Sequence, residues 1–322
     1  MSDKPFKVVV TETLDQVCAD WLAERVDLRW CKIDDGAPLG DDIADADALI
    51  VRTYTQVNDA LLDCAPKLKA VGRAGVALEN IDVSACRKRG VEVVHTPDAN
   101  TQAVVEYVTG LLLTHLRDLA YLDPAVDAAQ FHHLRKTLNG RQINELTVGI
   151  LGFGRIGKRL GRVMHAIGAN VWACDLLPEV ELRKAVEYPF EYVSHETLYA
   201  GCDILTVHVD GRASNHHLIN AAALGQLKPN CLFVNAARGL LVDYAALGGW
   251  LREHPQAEAI IDVHDPEPPA ADYPLYGLEN VTLLPHLAAR TETALRNMSW
   301  VVEDIWRILN SEKPKYPAAE LH

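Results

Sequence analysis

Residues 146–175 read LTVGILGFGRIGKRLGRVMHAIGANVWACD, and this stretch decides the fold. TVGIL is a short, apolar, β-rich run, and a glycine-rich turn, GFGRIG, follows it from Gly152 to Gly157. The next residues have helical spacing, with apolar side chains on one face at Leu160, Val163, Met164 and Ile167. A second apolar run, VWAC, ends at Asp175. Strand, glycine turn, helix, strand and acid in this order predict a βαβ unit that binds a dinucleotide.

Each glycine of the turn has a predicted role in holding a pyrophosphate. Gly152 permits a tight turn, Gly154 lets the backbone approach the phosphates, and Gly157 lets the helix and the strand pack closely. The first N–H groups of the helix are free to donate to the phosphates. Asp175 would accept hydrogen bonds from the ribose hydroxyls and would repel a 2′-phosphate, which favours NAD over NADP.

The composition is that of a globular protein. The chain has 322 residues, which suggests about two domains, and 49% of them are hydrophobic, which is enough to build cores. The net charge of −13 argues against nucleic acid or an anionic membrane as the main partner. No apolar run has the length of a signal peptide core or a membrane span. The seven cysteines include no CxxC pair, which predicts reduced thiols, a cytoplasmic location and no metal site.

Residues 1–100 alternate between short apolar strands and helical stretches, which is the pattern of a parallel sheet with helices on both faces. No glycine fingerprint follows the first strand, so this part is not predicted to hold the dinucleotide. Four strands are predicted here: KVVV, ALIV, LKAVGRAG and VEVVHT.

A long helix is predicted to begin after Asn100 or Thr101, either of which can cap it. It is apolar on nearly every face, so we expect it to be buried. The segment from Arg117 to Glu145 is polar and is interpreted as an irregular connection. The nucleotide unit then has six predicted strands, the number in two mononucleotide-binding halves: TVGIL, VWACD, DILTVHV, CLFVNAA, AIIDV and VTLLPH.

The chain is again helical from Thr291, and this last helix is expected to pack on the first domain. Its apolar stripe consists of Leu295, Met298, Val302, Ile305 and Leu309. The predicted fold class is therefore α/β, with two doubly wound parallel-sheet domains. A Rossmann nucleotide domain, residues 101–290, is inserted into a flavodoxin-like substrate domain of residues 1–100 and 291–322. The substrate is expected in the cleft between the two domains.

Three strands of the nucleotide unit end in side chains suited to acid–base chemistry. VNAAR ends in Arg238, AIIDV precedes the loop with Glu267, and VTLLP precedes His286. Because the carboxyl ends of parallel strands lie at one edge of a sheet, these groups are expected together near the nicotinamide. A guanidinium can hold a carboxylate or ketone oxygen, an imidazole can protonate a carbonyl as hydride arrives, and a carboxylate can orient that imidazole. Each residue alone has an ordinary structural explanation, but their joint placement favours the catalytic one.

These segments resemble the D-isomer-specific 2-hydroxyacid dehydrogenase family, which includes the D-3-phosphoglycerate dehydrogenases. VGILGFGRIG is similar to the dinucleotide motif of the family, and VNAARGLLVD, DVHDPEPP and LLPHLAA are similar to its catalytic segments. GRAGVALENID, from Gly72, is similar to its glycine turn for the substrate carboxylate. The resemblance covers almost the whole chain. It implies NAD-dependent interconversion of a small 2-keto acid and a D-2-hydroxy acid, with D-3-phosphoglycerate as one candidate.

The resemblance also implies individual residue roles. Arg238 would bind and polarise the substrate, His286 would be the acid–base, and Glu267 would be its partner. Asp262 would bond the nicotinamide amide and Asp175 the adenosine ribose. The full cofactor-binding set would be Gly152, Gly154, Arg155, Ile156, Gly157, Asp175, His208, Ala236 and Asp262. The substrate-binding set would be the side chains of Arg52 and Arg238 and the backbone of Ala74, Gly75 and Val76.

Two segments depart from the pattern of the family. After His286 the chain continues Leu-Ala-Ala to Arg290, where the family often has a small glycine-rich run. After HV the chain has Asp210-Gly211-Arg212, where the family usually has proline and an apolar residue, so Asp210 is expected to add charge near the cofactor. HHLIN, from His216, and the DVH that ends at His264 resemble the C-terminal-binding-protein corepressors. Those proteins keep the fold and the NAD site but act as dimeric scaffolds for transcription factors.

Two functions therefore remain open from the sequence: a dehydrogenase and an NAD(H)-sensing dimeric scaffold. The intact arginine, glutamate and histidine favour the enzyme. A homodimer through the nucleotide domain is implied by the resemblance, with the buried helix after Asn100 and the polar arm around residues 120–145 as the expected contacts. The sequence does not identify the 2-hydroxy acid, although Arg52, Arg73 and Arg290 are available to a phosphate-bearing substrate.

Overall fold

The computed structural model describes residues 4–31, 41–117 and 119–319. The chain divides into two compact units, Met1–Thr101 with Ala289–His322 and Gln102–Ala288. Each unit is built on one parallel sheet. Among the residues described, no helix has the length and apolar character needed to cross a membrane.

The strands are β1 (Lys7–Val10), β2 (Asp27–Trp30), β3 (Ala48–Val51), β4 (Ala70–Arg73), β5 (Glu92–Val94), β6 (Thr147–Leu151), β7 (Asn170–Cys174), β8 (Glu191–Tyr192), β9 (Ile204–Val207), β10 (Leu232–Asn235), β11 (Glu258–Ile261) and β12 (Val281–Leu283). The α-helices are α1 (Gln16–Ala23), α2 (Asp59–Asp63), α3 (Val83–Lys88), α4 (Thr101–His115), α5 (Ala128–Thr137), α6 (Arg155–Ala166), α7 (Glu179–Lys184), α8 (His195–Gly201), α9 (Ala221–Leu224), α10 (Tyr244–Glu253), α11 (Glu292–Ser299) and α12 (Val301–Leu309).

The sheet of the first unit has five strands in the order β2-β1-β3-β4-β5. This is the flavodoxin-like order, so the predicted class of this unit is confirmed. The sequence predicts four of the five strands and misses β2, whose residues DLRW are mixed in polarity. Because β2 lies at the edge of the sheet, Arg29 and Trp30 stay exposed and the strand lacks the apolar run of a central strand.

The C-terminal helical region consists of two helices where the sequence predicts one. α11 ends at Ser299 and α12 begins at Val301, because Trp300 between them has a ψ of 1°, outside the α-helical range. The predicted apolar stripe is retained, and α12 packs on β4 within the first unit. A Cβ on Gly72 of β4 would lie only 2.9 Å from the Ile305 side chain, so glycine is needed for this close packing.

The sheet of the second unit has seven strands in the order β12-β11-β10-β9-β6-β7-β8. Counted within the unit, this is the Rossmann order 3-2-1-4-5-6 with one further strand, which confirms the predicted class. The sequence predicts six of these strands and misses β8, which is only two residues long. Two apolar clusters cover the two faces of this sheet.

Three local predictions in the second unit are wrong. α4 buries one face and exposes residues such as Leu113, which is 41% exposed, so the helix is not buried all round. The segment interpreted as irregular contains α5, which Asp127 caps and which has no buried residue. Ile167 ends α6 and is 38% exposed, so it does not extend the buried face formed by Leu160 and Met164.

Candidate active site

The glycine turn after β6 has the geometry that its three roles require. Gly152 has a φ of +91°, and a Cβ there would lie 2.7 Å from the carbonyl carbon of His208. A Cβ on Gly157 would lie 2.3 Å from the carbonyl oxygen of Gly152, so the helix could not pack as closely. A Cβ on Gly154 would meet nothing within 4 Å, so space lies open above this backbone. The turn therefore fits a pyrophosphate.

The N-terminus of α6 supplies the donors for such a group. The helix begins at Arg155, and Gly154 before it contributes no side-chain cap. The backbone N–H groups of the first turn, at Arg155 and Ile156, are thus at the positive end of a twelve-residue helix. This is the arrangement that binds phosphate at helix ends in other dinucleotide sites.

Asp175 lies just past β7 and shapes the loop beside the glycine turn. Its Oδ2 accepts a hydrogen bond from the Phe153 N–H at 2.5 Å, and its Oδ1 accepts one from the Leu177 N–H at 2.9 Å. The neighbouring Leu176 and Val180 are 79% and 62% exposed. A carboxylate beside unusually exposed apolar side chains fits a ribose and the flat face of a purine.

His208 lies at the end of β9, against the glycine turn. Its Nε2 is hydrogen bonded to Thr206 Oγ1 at 2.9 Å, and its buried Nδ1 has no partner within the described part of the chain. Burial lowers the pKa of His208 to about 4, which keeps the imidazole neutral. Ala236 follows β10 and is 8% exposed. The cofactor contacts of both residues stay predictions.

Arg238 is held by the turn that follows β10. The Oδ1 of Asn235 accepts from the Ala237 N–H at 3.1 Å, and the Asn235 amide donates to the Arg238 carbonyl at 2.9 Å. A Cβ on Gly239 would lie 1.8 Å from the carbonyl oxygen of His264, so this turn lies tightly against the segment after β11. The backbone of Arg238 is therefore fixed relative to the Glu267 loop.

The charge of Asp210 is compensated locally, contrary to the expectation that it adds charge near the cofactor. Arg212 donates to both carboxylate oxygens of Asp210, at 2.7 and 2.5 Å. The pKa of Asp210 is lowered, first by this pairing and to a smaller extent by the charge of Arg238. A bidentate arginine keeps the carboxylate ionised and compensates its negative charge. The acid that departs from the family pattern therefore comes with its own counter-charge, Arg212.

Glu267 and His286 form a hydrogen-bonded pair. Glu267 Oε2 lies 2.9 Å from His286 Nδ1, and Glu267 Oε1 accepts the backbone N–H of His264 at 2.8 Å. Burial raises the pKa of Glu267, but these hydrogen bonds outweigh it, so its net pKa is lowered and the carboxylate stays ionised. An ionised carboxylate only accepts, so Nδ1 carries the proton, and Nε2 is left to exchange a proton with a substrate.

Asp262 ties the His286 segment to the end of β11. Its side chain is fully buried and accepts hydrogen bonds from Tyr107 Oη and the N–H groups of Leu287 and Ala288, all at 2.9–3.0 Å. Its backbone carbonyl accepts the His286 N–H at 2.8 Å. These contacts show Asp262 as a structural anchor of the acid–base segment. Its bond to the nicotinamide amide stays a prediction.

In the first unit, Glu12 holds the loop that carries Arg52. The carboxylate accepts five hydrogen bonds, from the N–H groups of Arg52, Thr53, Tyr54 and Thr55 and from the Thr55 hydroxyl. Burial raises the pKa of Glu12, but the four N–H groups together bring it below its usual value. Because its oxygens are occupied, Glu12 orders the loop without making an ion pair with the Arg52 guanidinium.

Arg52 and Arg290 place two positive charges close together in this unit. Burial and then the charge of Arg290 lower the pKa of Arg52. The Arg52 guanidinium has only weak contacts, at 3.4 Å, with the carbonyl and hydroxyl oxygens of Thr13. Within the described ranges neither arginine forms an ion pair, although the charge of the Glu12 carboxylate acts on Arg52 in the opposite sense and raises its pKa. Two positive charges that act on each other in this way favour the binding of an anion.

The glycine turn after β4 offers one free donor out of the three predicted. The Ala74 N–H bonds to the carbonyl of Val51, and the Gly75 N–H bonds to the carbonyl of Arg73, both at 2.8 Å. The Val76 N–H makes no hydrogen bond in the part of the chain that the structure describes. The predicted carboxylate contact by all three residues therefore stays a prediction, and Val76 is its best-placed member.

Three residues that shape the site are absent from the sequence-based set: Glu12, Tyr107 and His264. Only His264 could have been suspected from the sequence, because it lies between the predicted site residues Asp262 and Glu267. Tyr107 lies within an apolar helical pattern, and Glu12 is one of many acids in an acidic chain. No local pattern distinguishes a polar residue that will be buried by distant parts of the chain.

In the residues described, no cluster of three or more histidine, cysteine, aspartate or glutamate side chains could hold a metal ion.

The site defines a Rossmann-type dinucleotide-binding protein, on the evidence of the glycine turn, the N-terminus of α6 and Asp175. The Glu267–His286 pair lies at the strand ends of the same unit. Residues 109–288 match the family described as D-isomer specific 2-hydroxyacid dehydrogenase, NAD binding domain. The chain belongs to this family, which confirms the resemblance seen in the sequence.

Individual relatives extend the match beyond the nucleotide unit. The chain is 38% identical to D-3-phosphoglycerate dehydrogenase of Mycobacterium leprae over 89% of its own length and 53% of that protein. It is 36% identical to (S)-sulfolactate dehydrogenase of Chromohalobacter salexigens over 92% of its own length and 96% of that protein. It thus spans about half the length of the first of these relatives and nearly all of the second.

Among solved structures, the chain resembles the NADPH-dependent glyoxylate/hydroxypyruvate reductase SmGhrB of Sinorhizobium meliloti, in complex with NADP and malonate. The TM-score is 0.80 at 28% identity, and the match covers 98% of this chain and 97% of the other. The similarity includes both units.

Proposed function

We propose that the protein is an NAD-dependent oxidoreductase that interconverts a small 2-keto acid and a D-2-hydroxy acid. The observation that carries the proposal is the contact of 2.9 Å between Glu267 and His286 at the strand ends of a Rossmann unit. With one proton held on Nδ1, the imidazolium form of His286 donates its second proton from Nε2 to the keto oxygen and becomes the neutral ring. The same nitrogen receives the proton back in the oxidation direction.

The remaining residues would bind and polarise the substrate. Arg238 would hold the carboxylate or the keto oxygen with its planar fork, which stabilises negative charge as it develops. The bound nicotinamide supplies the hydride. Asp175 supports the choice of NAD over NADP, because a 2′-phosphate would lie against its carboxylate. All seven cysteines are free thiols, which supports a cytoplasmic location as part of this proposal.

The proposal is tested with NADH and a panel of 2-keto acids, by following the loss of NADH absorbance. The panel should include pyruvate, glyoxylate, hydroxypyruvate, 3-phosphohydroxypyruvate and 3-sulfopyruvate. We expect turnover with at least one of these acids, and formation of the D-enantiomer wherever the product is chiral. NADH binding without turnover on any member would contradict the proposal.

The alternative, an NAD(H)-sensing scaffold, draws no support from the HHLIN turn. The His216 and His217 rings stack on each other at 3.9 Å, and the His217 N–H donates to the carbonyl of Leu240. His217 has a φ of +51°, so the turn is a local structural feature. The His286 imidazole, by contrast, is 42% exposed and is held by the Glu267 carboxylate, which is the arrangement expected of a group that exchanges protons with a substrate. The geometry therefore favours the enzyme.

As part of this proposal, the substrate carries a second anionic group, a phosphate or a sulfonate. Arg52 and Arg290 provide the charge for it, and relatives named for phosphoglycerate and sulfolactate support this substrate class. We expect the Arg290→Gln variant to have a KM about tenfold higher for 3-phosphohydroxypyruvate or 3-sulfopyruvate, from the loss of one charged contact. The KM for pyruvate should change much less.

Arg296→Gln is the matched control, because Arg296 is an exposed arginine on α11 that contacts Asp15 at 3.4 Å. It should leave both KM values near those of the wild type. Equal changes of KM for mono- and dianionic acids in Arg290→Gln would contradict the second anion site. That result would leave the dehydrogenase assignment intact.

We also propose that two copies of the chain form a homodimer through the arm that contains α5. α5 has no buried residue, and the arm exposes large apolar side chains: Leu119, Tyr121, Leu122, Phe131 and Leu138. Val126, Ala129 and Leu134 also line a shallow groove of about 560 Å³. An apolar surface of this kind is typical of a contact between subunits.

Light scattering is expected to give twice the chain mass of 35.5 kDa. Phe131→Asp should shift the equilibrium towards the monomer, because a buried charge in an apolar contact is costly. Val17→Asp, at a residue that is 53% exposed on α1, should leave the mass unchanged. A wild-type particle of 35.5 kDa at micromolar concentration would contradict the dimer.

A further inference from the structure

His264 is a buried histidine that lies behind the acid–base pair. It is 8% exposed and hydrogen bonded through both ring nitrogens and its backbone N–H. Nδ1 lies 3.0 Å from Tyr273 Oη, Nε2 lies 2.8 Å from the Leu284 carbonyl, and the N–H donates to Glu267 Oε1 at 2.8 Å. These contacts join the end of β11 to the end of β12.

The hydrogen bonds assign the tautomer of His264. The Leu284 carbonyl can only accept, so Nε2 carries the hydrogen. For a neutral ring, Nδ1 is then an acceptor, and the Tyr273 hydroxyl is its donor. Burial raises the pKa of Tyr273, which keeps this hydroxyl protonated and able to donate. Both ring nitrogens of His264 are therefore hydrogen bonded only when Nε2 faces the Leu284 carbonyl and Nδ1 faces the Tyr273 hydroxyl.

Tyr273 is itself fixed by a second tyrosine. The Tyr244 ring packs against it with a centroid distance of 5.3 Å, and the Tyr244 hydroxyl donates to the Val263 carbonyl at 2.6 Å. Asn235 contacts the Tyr244 hydroxyl and donates to the Arg238 carbonyl. The network thus reaches the end of β10, where Arg238 lies.

The position of His264 affects both members of the acid–base pair. Its backbone N–H holds one oxygen of Glu267, which directs the other oxygen to His286. Its ring holds the carbonyl of Leu284, two residues before His286. Movement of this ring would therefore change the distance and the angle between the Glu267 carboxylate and the His286 imidazole.

We propose that His264 and Tyr273 are positioning residues that set the geometry of the Glu267–His286 pair through these three hydrogen bonds. The inference rests on the proposed function, because it takes proton transfer to be the role of the Glu267–His286 pair. Neither residue is proposed to touch substrate or cofactor.

Tyr273→Phe removes the donor to His264 while keeping the aromatic packing. We expect kcat to fall about ten- to a hundredfold, the size of effect that small misplacements of reacting groups produce. KM and the affinity for NADH should change by less than about threefold, because the binding residues are untouched. His264→Leu should be at least as severe, whereas His264→Gln, which keeps a donor for the Leu284 carbonyl, should recover part of the loss.

The pH profile separates positioning from a loss of folding. Glu267 is faced by His264, His286, Tyr244 and Tyr273, and its pKa is lowered by its hydrogen bonds. If the variants loosen those bonds, the pKa of Glu267 rises towards its ordinary value. The acidic loss of kcat should then begin at a higher pH in Tyr273→Phe than in the wild type. Thermal unfolding would show that each variant is folded under the assay conditions.

Tyr276→Phe is the matched control. Its ring packs on Tyr273 with a centroid distance of 5.4 Å, but it is 49% exposed and makes no hydrogen bond to His264. It should leave kcat and the pH profile unchanged. Unchanged kcat and pH profile in both Tyr273→Phe and His264→Leu would overturn the positioning role while leaving the dehydrogenase assignment in place.

A readout without turnover covers the case in which no keto acid reacts. The ring signals of His286 can be assigned in NMR spectra by their absence in His286→Ala. They should shift in His264→Leu and Tyr273→Phe but not in Tyr276→Phe. His286 signals that are the same in all variants would overturn the inference independently of any assay of activity.

Discussion

The His286→Ala variant is expected to lose about 10²- to 10⁴-fold in kcat while it still binds NADH, because general acid–base catalysis contributes that much. The Glu267 contact at 2.9 Å orients the His286 ring so that Nε2 faces the substrate. Alanine has no group that could take over this proton transfer. The measurement is steady-state NADH oxidation with the best 2-keto acid of the panel, together with an NADH titration by fluorescence.

Glu267→Gln is the informative companion to this variant. An amide preserves the size of the side chain but removes the charge that stabilises an imidazolium, and its single oxygen can accept from only one of the two donors, the His264 N–H and the His286 ring. We expect a smaller loss of kcat than in His286→Ala, and the double variant should be little worse than His286→Ala alone, because the two residues act as a unit. His195→Ala, on α8, is the control and should retain wild-type kcat. Full turnover in His286→Ala would end the assignment of this residue as the acid–base.

The second large effect is expected in Arg238→Gln, which should lower kcat/KM by about a hundredfold. A charged, two-pronged hydrogen bond contributes about 3 kcal/mol, and each 1.36 kcal/mol corresponds to about a factor of ten in rate. The loss should appear for every 2-keto acid, because Arg238 is proposed to hold the group that all of them share. Steady-state kinetics across the panel measures it.

Arg238→Lys distinguishes charge from geometry. Lysine keeps the positive charge but cannot form the planar fork, so it should recover only part of the rate. Arg252→Gln, whose guanidinium contacts the carbonyl of Pro274 on the surface, is the control. A loss confined to substrates with a second anionic group would instead place Arg238 in the same role as Arg290.

The central strands and the nucleotide turn could be predicted because their physics is local. A buried parallel strand such as β6 or β10 is a continuous apolar run. In the nucleotide turn, the three glycines that allow the tight turn, the open backbone and the close helix packing lie within six consecutive residues, Gly152 to Gly157. The edge strands β2 and β8 could not be predicted in this way. A strand with one neighbour is partly exposed or very short, so its composition resembles that of a loop.

The helical errors have a related cause. α5 has no buried residue, so its sequence lacks the apolar stripe of a buried helix and resembles a connection. The break at Trp300 lies inside an uninterrupted helical pattern, and the pattern continues on both sides because α11 and α12 both bury apolar residues. Periodicity indicates which face is buried and does not indicate where the backbone dihedral angles leave the helical range.

The sequence by itself determined the fold class, the dinucleotide turn, and the identity of the arginine, carboxylate and imidazole that end three strands. Those features follow from the chemistry and spacing of neighbouring residues, which any chain with this order of strands must place at one sheet edge. Only the tertiary structure decided how the groups are held: Asp262 as a buried anchor for the His286 segment, Glu12 as the carboxylate that orders the Arg52 loop, and His264 between Tyr273 and Leu284. These contacts join residues 9 to 40 positions apart, and the burial that makes each hydrogen bond matter arises only when separate elements pack together.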